Sequence, residues 1–318
     1  MAANLNSESG SKVGSAPVRA KPHGVLGMIV ESLALAAAFF YGLNSVLVRM
    51  GMARDAKSNP FSASIITMFA DLIFMWAIYI AISPPFIIEA ALVFATAGII
   101  AQVFARTLNY TGIHRLGVSV STPISGANPV FAAITASILL SEIMLPQTYV
   151  GIALVVCGVA VVSLGSRELD LAGHWKKRDL IIPLSASVCY GLAATVRKVG
   201  LNILNVPVAG ASLGILTAFS IYAIFLLLSG KIKTVAVNRL SSPFFMAAGF
   251  STALAWICNF TALSMGRVSI VAPIQSTSPL VSLFLCRIFL RDLEKLTAKV
   301  IVGAVAVVLG IVVISLFK

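Results

Sequence analysis

Four short sets of side chains interrupt otherwise apolar stretches of this 318-residue sequence, and their spacing limits the chemistry open to them. Gln102, Arg106 and Asn109 fall at i, i+4 and i+7, and so do Ser121, Ser125 and Asn128. Residues at those spacings share one face of an α-helix. One hundred and fifty residues later, Thr252, Trp256 and Asn259 stand at the first set of positions, and Val271, Gln275 and Ser278 at the second. Amides, hydroxyls and a guanidinium can hold a polar solute by hydrogen bonds and charge. They do not make a convergent nucleophile, base and metal set, and no metal-ligand spacing stands near them, so no catalytic residue, metal or cofactor is expected. Tyr41, Asn44 and Tyr190 join these sets as candidates for a cavity wall.

The competing reading is structural. Ser, Thr and Asn also hold apolar helices together by hydrogen bonds, with small residues allowing close approach. Asp71 carries two readings as well. A carboxylate at the centre of an apolar run needs water, protonation or a partner. It is either a proton-coupling group or one half of a structural pair with an Arg such as Arg106. Pro123, Pro129, Pro273 and Pro279 each remove a helical hydrogen bond. The freed carbonyls either face a solute or mark static kinks.

The elements that position these residues follow from composition. The chain is 59% hydrophobic and only 11% charged, with a net charge of +12. A soluble domain carries about 25% charged residues, so the solvent for most of this chain is lipid. The basic residues sit in short connections and helix ends, which excludes the contiguous stripe of a nucleic-acid binder. The four cysteines lie singly inside apolar runs and read as small buried hydrophobes.

A bilayer crossing takes about 20 residues of helix. Runs of that length fall at 27–50, 62–82, 86–108, 116–140 and 147–165, then at 179–200, 207–229, 243–265, 268–290 and 297–317. Residues 1–24 form a basic tail of disordered composition. The apolar run that follows is too long for a signal-peptide core and is expected to stay as the first helix. Lys and Arg concentrate in the odd-numbered connections, which puts both termini outside if Arg49, Arg106 and Arg197 belong to those connections.

The strongest signal is self-similarity. Asn109, Thr111, Val118, Ser119, Pro123, Ile124 and Pro129 recur as Asn259, Thr261, Val268, Ser269, Pro273, Ile274 and Pro279 at a constant offset. Tyr41-Gly42 and Gly51 recur as Tyr190-Gly191 and Gly200, and Glu142, Gly151 and Gly158 as Glu294, Gly303 and Gly310. Five helices per copy is an odd number, so the second copy must enter the membrane from the opposite side. The expected fold class is therefore an all-α polytopic membrane protein of about ten transmembrane helices in two inverted five-helix repeats. The expected divisions are a tail (1–24), a first repeat (25–165), a central loop (166–178) and a second repeat (179–318).

The Asn-Tyr-Thr-Gly segment at 109–112, the prolines at 123 and 129, and Leu140-Ser141-Glu142 ahead of Gly151 resemble the EamA domain, as do their counterparts in the second half. The resemblance covers nearly the whole chain. It implies a transporter of the drug/metabolite transporter superfamily, with a central cavity and a small-molecule substrate, set in the plasma membrane of a prokaryote. Amino acids, other metabolites, drugs and nucleotide-sugar-like solutes are the substrates that such proteins carry. A carrier for an amino acid or related metabolite, working by alternating access and more in export than import, is the leading expectation. A multidrug exporter, a non-transporting scaffold and an intramembrane enzyme are the alternatives. The expected partners are the lipid bilayer, the solute and a coupled proton, with monomer and homodimer both open. Two features depart from the family pattern. Asp71 stands in the second helix, where such proteins often carry an Arg, and Asp292 competes with Glu294 for the aligned acidic place.

Overall fold

The structure is a computed structural model, and the residues it describes are 25–55, 57–140, 146–169, 176–235, 238–265, 271, 274–275, 277–291, 293 and 297–316. The tail, Glu142, Pro273, Asp292 and Glu294 lie outside them. The first half holds α1 (Val25–Arg54), α2 (Pro60–Ile82), α3 (Ile88–Leu116), α4 (Val118–Ser125), α5 (Asn128–Leu140) and α6 (Pro146–Leu169). After a short 3₁₀ turn come α7 (Ile181–Ile203), α8 (Pro207–Leu228), α9 (Ser242–Met265), α10 (Ser278–Phe289) and α11 (Ala298–Leu316). Six helices among the described residues are long and apolar enough to cross a membrane: α1, α2, α3, α7, α8 and α9. There is no strand among the described residues.

Local chemistry sets several boundaries. Asn59 caps α2 by accepting the Ser62 backbone N–H at 3.0 Å, and Pro60 follows in the first turn, where its missing N–H costs nothing. Gly117 separates α3 from α4 at φ 81°, a conformation that needs a residue without Cβ. The surface facing outward is apolar. Ile80, Leu92 and Leu228 are 68%, 62% and 85% exposed, which in water would be an untenable surface and in lipid is an ordinary one.

Two expectations about helices are corrected. The single run at 116–140 is two helices, broken at Gly126 and Ala127, where the Gly126 N–H reaches back to Thr122 and the Ala127 N–H to Ile124. Ser121, Ser125 and Asn128 therefore do not share one continuous helical face. Pro123 does lie inside a helix, but Pro129 is the second residue of α5 and Pro279 stands in the first turn of α10. There a proline starts a helix rather than kinking one. Arg49, Arg106 and Arg197 all lie within helices, so the charge count that placed the termini loses all three.

The packing repeats with the halves exchanged. Gly42 of α1 lies against α10, where a Cβ would sit 2.8 Å from Val281 Cγ1. Gly191 of α7 lies against α5, where a Cβ would sit 2.7 Å from Phe131 Cβ. Val281 and Phe131 occupy matching places in the repeat, so one contact is the other with its partners swapped. Gly51 packs on the Phe245 ring, and Gly200 on the Phe94 ring, in the same relation. The α6–α11 pair closes on itself. A Cβ on Gly158 or Gly303 would come 2.7 Å from the other's carbonyl oxygen, and one on Gly310 would come 2.7 Å from that of Gly151. Rising numbers on α6 meet falling numbers on α11, so the pair is antiparallel.

Candidate functional site

The helices enclose a cavity of about 180 Å³ at the junction of the two halves. From α1 come Tyr41, Asn44 and Ser45, and from α3 come Gln102, Arg106, Asn109 and Tyr110. The α4–α5 break contributes Thr122, Ser125, Asn128 and Pro129. The second half contributes Tyr190, Arg197 and Lys198 from α7, Thr252, Trp256 and Asn259 from α9, then Gln275, Ser278 and Ser282. Twelve of the thirteen residues expected on a cavity wall therefore line one space. Ser121 is the exception. It is fully buried off the cavity beside Gly112, whose Cβ would lie 2.5 Å from the Ser121 hydroxyl oxygen. Ser121 faces α3 instead, while Ser125, one turn later on the same helix, reaches the cavity beside the break.

The first set survives a distortion. Residues Ile99–Ala105 form a π-helical segment inside α3, between the start of the helix and Arg106. Such segments shift the register of a face and recur at functional sites. Gln102, Arg106 and Asn109 still reach the cavity together.

Asn44 is a tie as well as a wall. Its amide NH₂ donates to Thr252 Oγ1 at 2.7 Å, to the Ala248 carbonyl at 2.9 Å and to the Tyr110 hydroxyl at 3.1 Å. One side chain of α1 thus fixes α3 and α9. The Ser251 hydroxyl adds a bond to the Phe40 carbonyl at 2.8 Å. Across the repeat, the hydroxyls of Thr135 and Thr195 meet at 2.7 Å and fix α5 to α7.

The charges are unevenly placed. Arg106 Nη2 donates to Asp71 Oδ2 at 2.8 Å, and both side chains are almost completely buried. Asp71 stands behind Arg106 and does not line the cavity. Arg106 Nη1 and Asp71 Oδ1 have no partner of their own. Arg197 lies over the Trp256 ring at 4.6 Å and the Phe260 ring at 5.7 Å. Its Nε is buried without a partner. Among the described residues, three cations thus line the wall and no carboxylate does.

Arg197 and Lys198 escape a reading based on repeated polar faces. Arg197 matches Val48 in the first half, and Lys198 matches Arg49 at the end of an apolar run, where a loop residue is the simpler reading. The signal that could have found Arg197 is its place seven residues after Tyr190, on the same face of α7. A different pattern also carries no chemistry. Residues 210–214 have the GxSxG spacing of a nucleophile elbow, but Ser212 sits inside α8 and donates to the Met75 carbonyl at 3.1 Å. A sharp strand-to-helix turn with an exposed hydroxyl is what that motif requires.

The sequence model of the EamA-like transporter family matches residues 28–164 and again 178–316. The chain belongs to that family. Each exchanged contact joins one EamA match to the other and residues of both line the cavity, so the cavity lies between the two EamA units. A curated relative, the uncharacterized transporter YvbV of Bacillus subtilis (strain 168), is 25% identical over 214 residues, covering 65% of this chain and 66% of that protein. The match therefore spans just under two thirds of the relative's length. A solved crystal structure aligns with a TM-score of 0.62 at 14% identity, over 90% of this chain and 96% of the other. That likeness concerns the fold alone. The chain is thus of the EamA-like transporter family, and its six long apolar helices fit a multi-pass membrane protein.

Proposed function

We propose that this EamA-like transporter is a secondary carrier of a small organic metabolite, an amino acid or a related compound, and that it works by alternating access with export as its main direction. The observation that carries the reading is the cavity, walled by equivalent helices of both repeats and surrounded by contacts that recur with the halves exchanged. Two half-proteins related in this way can trade conformations, which gives outward-open and inward-open states of similar energy. Ten crossings fit the repeat best, with α4 and α5 together making one broken span and each repeat supplying five. An odd number per repeat turns the second copy over, and the antiparallel α6–α11 pair is what such an inversion produces. The plasma membrane of a prokaryote is the proposed location, supported by the bacterial relative.

Asp71 is the proposed coupling group. A proton on Asp71 would release the second half of the Arg106 guanidinium toward the cavity, which links the charge of the carboxyl to the charge offered to the solute. The test is transport into proteoliposomes loaded with unlabelled amino acids and related metabolites, with and without a pH gradient. Counterflow of at least one solute is expected, and D71N should lose gradient-driven accumulation while keeping counterflow. If folded, inserted protein gives no counterflow for any solute in a broad panel, the carrier reading fails. If D71N lowers both rates equally, Asp71 is structural.

A further inference from the structure

We infer that the cavity selects a solute of net negative charge and binds its oxyanion group through Arg197. The inference rests on the carrier reading only in taking this cavity as the place where solute sits.

The argument begins with charge. Arg106, Arg197 and Lys198 face the cavity, and no Asp or Glu lines it among the described residues. Asp71 offsets one of the three from behind. Cations inside a membrane-spanning bundle are costly unless something compensates them. Among the described residues, neither Arg197 nor Lys198 has an ion-pair partner. The resting cavity therefore carries an excess of two positive charges with nothing opposite. A bound anion supplies what the wall lacks, and a bound cation makes the imbalance worse.

Geometry places the anion on Arg197. The guanidinium lies over the Trp256 and Phe260 rings, so its face is covered and its position is held. Stacking leaves the in-plane N–H groups free, and those are the donors that pair with a carboxylate or phosphate. Arg197 is 7% exposed, its Nε is unpartnered, and it lines the cavity. An aromatic platform under a guanidinium with open donors is a preorganised oxyanion site. The Tyr41 and Tyr190 side chains line the same cavity and can take the organic part of the solute. Cationic drugs and simple amines are excluded by the same charges, which narrows the amino acids and related compounds of the carrier reading to acidic ones.

Ligand binding to the purified full-length protein in detergent tests this without any transport step. The probes are phenylacetate, phenyl phosphate, phenylacetamide and phenethylamine, which share a ring and differ in charge. Thermal stabilisation against concentration gives each dissociation constant. At least one anion is expected to bind ten times or more tightly than the amide, with the amine weakest. Whichever anion binds better identifies the headgroup. R197Q should lose tenfold or more for the anions and leave the amide unchanged. R197K, which keeps the charge but not the planar fork, should recover part of the loss and guards against a folding artefact. Equal binding of anion and amide, tight binding of the amine, unchanged anion affinity in folded R197Q, or no binding by any probe would each overturn the inference. Loss of counterflow with charge-dependent binding intact would remove the carrier reading and leave this one standing.

Discussion

Replacing Asp71 by Leu while leaving Arg106 in place isolates the energetics of the buried pair. The two groups touch at 2.8 Å, with side chains 1% and 3% exposed. Charge centres about 4 Å apart attract by about 4 kcal/mol at an effective dielectric of 20. Removing one partner forfeits that attraction and strands an almost wholly buried guanidinium. The expected loss is therefore about 3–5 kcal/mol, the usual range for a one-sided break of a buried pair. Removing both charges behaves differently. In D71L/R106M neither charge needs solvation, so the double variant should lie within about 1.5 kcal/mol of the starting protein. Arg106 Nη1 and Asp71 Oδ1 already lack partners, which favours this outcome because the pair is not fully satisfied to begin with.

The assay is a double-mutant cycle on reversible unfolding in mixed micelles, with D71L, R106M and both together. Near-additive losses, with the double variant the least stable, would refute the reasoning. They would mean that water or another group solvates Arg106 once Asp71 is gone. D71N should cost less than D71L, because an amide oxygen can still accept from the guanidinium.

Substituting Leu for Gly158 should disrupt the α6–α11 contact, since even a Cβ there meets a backbone carbonyl at 2.7 Å. A loss above about 2 kcal/mol is expected from such overpacking, read as a fall in the unfolding midpoint. N44A removes donors to three acceptors on two helices, and should cost about 1–3 kcal/mol in the same measurement, because the groups left behind are buried. Pro129→Ala should leave stability within about 1 kcal/mol, since a proline in the first turn gives up no helical hydrogen bond. A large loss from Pro129→Ala would mean that its ring, not its place in the helix, matters to the break at Gly126.

The sequence revealed the site more fully than the path of the chain. Residues such as Gln102, Asn259 and Gln275 were legible because a polar group in an apolar run has few stable directions to face, and the repeat doubled the signal. The break at Gly126 was not, because the run on either side stays apolar and hydropathy is blind to a local turn. That one break accounts for the reading of Pro129 as a kink; Ser121 lies before it and turns to α3, where Gly112 leaves room for its hydroxyl. Pro279 was misread for a related reason, because a proline flanked by apolar residues looks the same at the start of a helix as in its middle. Arg197 was missed because it has no counterpart in the first half. Self-similarity finds what two repeats share and hides what only one of them has.

That difference bears on how such a site can work. The scaffold is nearly two-fold, as Gly42 against Val281 and Gly191 against Phe131 demonstrate. The chemistry inside it is not. Arg106 in the first repeat stands where Trp256 stands in the second, and each meets a different partner: Arg106 binds Asp71, and Trp256 supports Arg197. A fully symmetric wall would present the same groups to a solute from both ends and would have no reason to hold a proton on one side only. If the protein is the proposed carrier, symmetric packing supplies two conformations of similar energy and the unpaired differences supply direction. On the proposed reading, exchanging those differences should therefore do more than lower activity. Placing a carboxylate at Ala218, the residue that matches Asp71 when α2 and α8 are aligned from Pro60 and Pro207, would give the second repeat a buried titratable group in the equivalent place. The expected result in A218D is gradient-driven uptake with weaker dependence on the orientation of the pH gradient, measured in proteoliposomes of known sidedness. Unchanged dependence, in protein that still shows counterflow, would mean that direction is set elsewhere than by the asymmetry of this pair.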